Sequence, residues 1–151
     1  MAKKIGQRPP WPPPSGRGGS IIKIEGIGEA YAAKIRQVGV RTTTALLQKG
    51  STPKGRLELA KATGTSTKLI LEWVNRADLF RVKGVGVQYS DLLEAVGVDT
   101  VPELAQRKPK ALLDAIVKVN LQKNLVNQLP GLSRVETWVN YAKTLEKIVK
   151  Y

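Results

Sequence analysis

The sequence predicts an all-α protein made of two related helical halves behind an extended Pro/Gly-rich N-terminal tail. Three observations lead there. Apolar residues recur at helical spacing, as in Leu69, Ile70, Trp73, Val74 and Ala77, the pattern of a stripe buried along one helix face. Ser/Thr residues, prolines and glycines punctuate these stripes where helices should start and stop. And the stretch Ile24-Glu25-Gly26-Ile27-Gly28-Glu29-Ala30-Tyr31-Ala32 returns 58 positions later as Val82-Lys83-Gly84-Val85-Gly86-Val87-Gln88-Tyr89-Ser90.

Taken in order, residues 1–20 read as the tail. Its centre, Pro9-Pro10-Trp11-Pro12-Pro13-Pro14, cannot make a helix and favours polyproline II. It serves either as a linker or as a partner-binding anchor. In the second use Trp11 enters a crevice while Lys3, Lys4, Arg8 and Arg17 meet phosphates or acidic side chains. The domain proper spans 21–151, with repeat one over 21–80 and repeat two over 81–151.

In repeat one, helices are expected from about Glu29 to Val38, from Thr43 to Gln48, and from Pro53 to Thr63 with Thr52 as N-cap and Gly64 as stop. Thr65-Ser66-Thr67 then opens the Trp73 helix. In repeat two, a helix over Val87–Val96 is followed by Thr100-Val101-Pro102-Glu103, a capping-box pattern. Lys108-Pro109 starts another helix, Leu121, Leu125, Val126 and Leu129 suggest a further one, and Ser133-Arg134-Val135-Glu136 reads as a second capping box. That box opens a last helix running through Trp138, Leu145 and Val149. Trp73-Val74-Asn75-Arg76-Ala77 recurs as Trp138-Val139-Asn140-Tyr141-Ala142 after 65 positions, so repeat two carries about seven extra residues. Both tryptophans are expected in the core.

The spacing apolar-x-Gly-apolar-Gly-x-x-x-Ala, from Ile24 and again with Ser90 closing the copy from Val82, resembles the helix-hairpin-helix motif. Beyond it, residues from about Gly26 to Leu145, in particular 69–79 and 89–100, resemble a microbial family of tandem helix-hairpin-helix proteins whose function is uncharacterised. The resemblance implies that the glycine turns can grip nucleic acid backbones, because turn N–H groups and a helix N-terminus face a phosphate. The residues it implicates are Gly26 and Gly28 in the first turn and Gly84, Val85 and Gly86 in the second. Glu29 and Glu25 make the first turn more structural than binding. Arg81 and Lys83 flank the second and make it the better candidate. Lys34 and Arg36 could serve either role.

Charge points the same way. The chain has 25 Lys plus Arg against 12 Asp plus Glu, a net charge of +13, and basic residues outnumber acidic ones in the tail and in both repeats. Such a protein should gather near polyanions in a salt-dependent manner. With no cysteine and no histidine, disulfides, Cys/His metal sites and the usual nucleophilic triads are excluded. No cofactor is expected. Helix-hairpin-helix glycosylases place a catalytic Asp, and sometimes a Lys, after the motif, but both turns here lack that lysine, and the chain is short for a base-flipping pocket. The expectation is a non-enzymatic cytoplasmic protein that binds DNA or RNA, or a nucleoprotein particle such as a ribosome. The alternative is a structural or adaptor subunit of a large complex, held by its tail.

Overall fold

The computed structural model describes residues 20–24 and 26–151. The tail residues Lys3, Lys4, Arg8, Trp11 and Arg17, and Glu25 of the first turn, lie outside that range. Among the described residues the fold is all-α, with eight α-helices and no strand: α1 Glu29–Gln37, α2 Thr43–Lys49, α3 Pro53–Thr63, α4 Thr67–Leu79, α5 Val87–Ala95, α6 Val101–Ala105, α7 Pro109–Lys123 and α8 Leu132–Thr144. A short 3-10 turn, Ile21–Lys23, precedes α1. No helix among the described residues is long and apolar enough to cross a membrane.

Local chemistry sets most of these boundaries. Thr42, Thr52 and Ser66 each accept a hydrogen bond from the backbone N–H three residues on, at 3.0, 3.1 and 3.1 Å, which satisfies a helix-end donor that would otherwise be orphaned. Thr100 and Glu103 form the reciprocal box at the start of α6. Pro53 and Pro109 occupy the first helical positions of α3 and α7, where a missing N–H costs nothing.

Three expectations fail for identifiable reasons. Residues 124–131 are not a helix. α7 ends on Asn124 in the left-handed conformation, φ 50°, and Asn120 then holds the backbone N–H and C=O of Val126 at 3.0 and 3.1 Å. The apolar spacing there mixes one buried residue, Val126, with Leu121, which is 83% exposed. Nor does Ser133 cap α8, because the cap is Gly131 and Ser133 lies inside the first turn. At its other end α8 stops at Thr144 and the chain continues extended through Leu145, φ −88° and ψ 138°.

That extended C-terminus crosses back to repeat one. Val149 is buried among the core residues of the first half. Lys150 donates its backbone N–H to Ser51 O at 2.7 Å, and the buried Arg56 donates to Gly50 O at 2.8 Å and to Lys150 O at 2.7 Å. Otherwise the buried apolar residues fall into two clusters that divide between Ala77 and Leu79, one holding Trp73 and the other Trp138. Within each, the tryptophan of the fourth helix packs on a tyrosine of the first: Tyr31–Trp73 at 5.2 Å and Tyr89–Trp138 at 5.1 Å between ring centroids. The two halves repeat in contact as well as in sequence.

Candidate functional site

The glycine turns are built alike. Gly26 and Gly84 adopt φ 94° and 90°, a region that an L side chain enters only under strain. Beneath each lies the indole of its own repeat: a Cβ on Gly26 would stand 3.2 Å from Trp73 Nε1, and one on Gly84 would stand 3.1 Å from Trp138 Nε1. Ile27 and Val85 point inward and are buried. The turns are therefore anchored from below by one apolar residue and one tryptophan each.

The next glycines are different. Gly28 and Gly86 are the N-caps of α1 and α5, with φ −85° and −100°, values open to any residue. A Cβ on either would meet nothing within 4 Å. Neither backbone geometry nor packing requires glycine there, yet glycine provides no capping side chain and leaves the first-turn N–H groups without a side-chain acceptor from the cap. A helix end of this kind favours anions.

The two turns sit in opposite electrostatic surroundings. Glu29 is the first residue of α1. Beside Gly26 opens a crevice of about 220 Å³ that also touches Glu72, Arg76 and Glu94, and it adjoins one of about 340 Å³ lined by Glu72, Asn75, Arg76, Glu94 and Asp99. Arg76, only 7% exposed, pairs with Asp91 and Glu94 and joins α4 to α5. The remaining acids crowd one another: burial first, then repulsion from Glu103 and Glu94, holds the Asp99 carboxyl above its ordinary range. An approaching phosphate would be repelled there. The second turn has Lys83, Val87 and Gln88 exposed around it.

Other residues singled out by the sequence are placed as follows. The Arg81 guanidinium is 10% exposed, with Nε on Asp78 Oδ1 at 2.8 Å and Nη2 on Glu146 O at 2.8 Å. Through these two bonds it ties α4 to the C-terminal segment. Asp78 is buried and also accepts the N–H of Val101 at 3.3 Å. Burial raises its pKa, against the opposing pull of Arg81 and that N–H. Lys34 is exposed on α1, while Arg36 lies 3.9 Å from Glu29 on the same helix.

Sequence reasoning passed over Arg134. Its Nη1 lies 3.3 Å from Tyr89 Oη, its guanidinium carbon 5.8 Å from the centre of the Tyr89 ring, and Tyr89 Oη donates to Gln128 O at 3.1 Å. The signal was present in the 65-residue offset, which pairs Arg134 with Leu69 and Gly131 with Ser66. Repeat two has a cation and a bare cap where repeat one has an apolar residue and a capped helix.

A family model described as a domain of unknown function (DUF4332) matches residues 25–145. No curated protein and no solved structure matches the chain.

Proposed function

The chain belongs to the DUF4332 family, a domain of unknown function, and we propose from its geometry that it is a non-enzymatic protein that binds polynucleotide backbones. Its two glycine turns act as helix-hairpin-helix units, and its partner is DNA, RNA or a nucleoprotein particle. The observation that carries this reading is the cap glycine of the second turn, Gly86, for which neither φ nor neighbouring atoms supply a structural reason. Glycine at a helix cap in open space is what close approach of another backbone needs. The net charge of +13 supplies long-range attraction without sequence preference. The adaptor alternative rests on the tail, of which residues 1–19 lie outside the described residues.

Titration of a labelled oligonucleotide across salt tests the proposal. Binding should be measurable near 50 mM salt, and log K should fall with log salt by roughly 0.7–0.9 per phosphate contact. A protein that ignores the oligonucleotide at low salt, or binds it with no salt dependence, is not a backbone binder.

A further inference from the structure

We infer that the C-terminal segment 146–151 is an exchangeable arm, and that its seat on repeat one accepts the same segment of a second copy of this chain, giving a reciprocally exchanged dimer. The inference is independent of polynucleotide binding.

Repeat one does not complete its own core. Among the described residues, every buried member of that core except Val149 lies between Ile21 and Ala77, and Ile148 packs against its edge. Val149 arrives from the far end of the chain, past the whole of repeat two, and is 2% exposed. A core that takes one member from outside its own repeat has a socket in it, and an apolar plug keeps that socket from standing open.

The socket engages backbone as well as side chain. Lys150 gives its N–H to Ser51 O at 2.7 Å, and its carbonyl receives Arg56 Nη2 at 2.7 Å, while its own side chain is exposed. Arg56 is 6% exposed and also held by Gly50 O at 2.8 Å, a bond within repeat one that aims the guanidinium whether or not the arm is present. Tyr151 closes the seat, with its ring centre 5.9 Å from Arg56 Cζ and its hydroxyl donating to Asn75 Oδ1 at 3.3 Å. An apolar anchor, a main-chain pair and an aromatic end are how a groove receives an extended peptide.

The base of the arm is held less closely. Leu145 is extended, and Glu146 and Lys147 are exposed. A hollow of about 90 Å³ lies among Asp78, Thr100, Pro102 and the arm residues Lys147, Val149 and Tyr151, so the arm bridges α6 rather than packing down on it. Arg81 fixes the start of the arm through Glu146 O at 2.8 Å, which puts the pivot at Lys147. An arm on a short exposed pivot, seated by its tip, keeps every contact of the seat when tip and socket belong to different copies. What opposes pairing is the net charge of +13 on each chain, a repulsion that salt screens. The dimer should therefore grow with salt, whereas polynucleotide binding should fade with it.

The chain has no cysteine, so single-cysteine variants report exchange directly. Ser51→Cys and Lys150→Cys place thiols on residues whose backbones meet at 2.7 Å. Ser51 is half-buried and Lys150 exposed, so both variants should fold, which circular dichroism melts would verify. The two full-length variants are mixed in urea, refolded together at high protein concentration and high salt, and treated with a short bis-maleimide. A covalent heterodimer is expected from the mixture and not from either variant refolded alone. Sedimentation equilibrium gives a second readout without cysteines. The wild type should show a dimer whose fraction rises with salt, and deleting Lys147 should raise that fraction roughly tenfold at equal concentration, because a shorter pivot hinders closure on the same chain more than on a neighbour. A wild type that sediments as a monomer at every concentration and salt, or a mixture that gives no heterodimer, shows that the arm closes only on its own chain. Equal product from either variant alone places the contact on another surface. Each of these results overturns the exchange and leaves the polynucleotide reading where it stood.

Discussion

Two glycines two residues apart do different work in each turn, and single substitutions should separate them. At Gly84 an added methyl meets both a positive φ of 90° and Trp138 Nε1 at 3.1 Å, so Gly84→Ala should lower stability by about 1–3 kcal/mol in urea unfolding. At Gly86 neither obstacle exists, and Gly86→Ser adds a cap worth a few tenths of a kcal/mol. It should raise the melting temperature slightly while weakening oligonucleotide binding. A gain in stability accompanied by a loss of affinity is the signature of a residue kept for a ligand. Asp99 gives a pH prediction at the same scale. Its folded pKa lies above the unfolded 3.8, so its favourable contribution is complete below that value and disappears as pH rises through the folded one. Asp99→Asn should therefore raise the urea midpoint at pH 7 and leave it unchanged near pH 3. Equal shifts at both pH values would mean that neither burial nor repulsion from Glu103 and Glu94 raises the Asp99 pKa in the folded chain.

At the scale of elements, what could be read from the sequence was whatever local chemistry decides. The starts of α2, α3, α4 and α6 follow from Thr42, Thr52, Ser66 and Thr100, whose side chains reach their own helix N–H groups. The errors came from two sources. Residues 124–131 carry helical apolar spacing but are held by a nearby side chain, Asn120, which periodicity does not register, whereas Ile148 and Val149 look like a continuation of α8 but pack on distant repeat one. At the site, the partners of Arg81 were the part the sequence hid, since a cation beside a glycine turn reads the same whether it faces solvent or, as here, Asp78 and the carbonyl of Glu146. The C-terminal strap should matter energetically. Val149 is 2% exposed, and burying a valine side chain contributes roughly 1.5–3 kcal/mol, so Val149→Ala should lose about half of that or more in urea unfolding. Removing residues 146–151 should cost more than Val149→Ala, because Arg56 would lose the Lys150 carbonyl and Arg81 that of Glu146. A truncated chain as stable as Val149→Ala would show that the strap is only an apolar plug.

The whole molecule has two cores but more than one tie between them. Arg76 of α4 reaches Asp91 and Glu94 of α5, Asp78 of α4 holds the first residue of α6 and, through Arg81, the C-terminal segment, and that segment ends in the core of repeat one. Removing the buried cation of such a cluster leaves its acids to repel one another. Arg76→Leu would leave Glu94 beside Glu72 and Asp99 in the crevice without the guanidinium that Glu94 pairs with. These ties make the halves one cooperative unit, and the tryptophans can report it, since Trp73 and Trp138 lie in different cores. In a Trp11→Phe background, the single-tryptophan variants Trp73→Phe and Trp138→Phe should give unfolding curves that coincide with each other and with circular dichroism once corrected for their own stabilities. Adding Arg76→Leu together with removal of residues 146–151 should split them, with Trp73 exposed at lower urea because repeat one loses Val149 from its core. If the curves are already separate in the otherwise intact chain, the two repeats fold as independent modules.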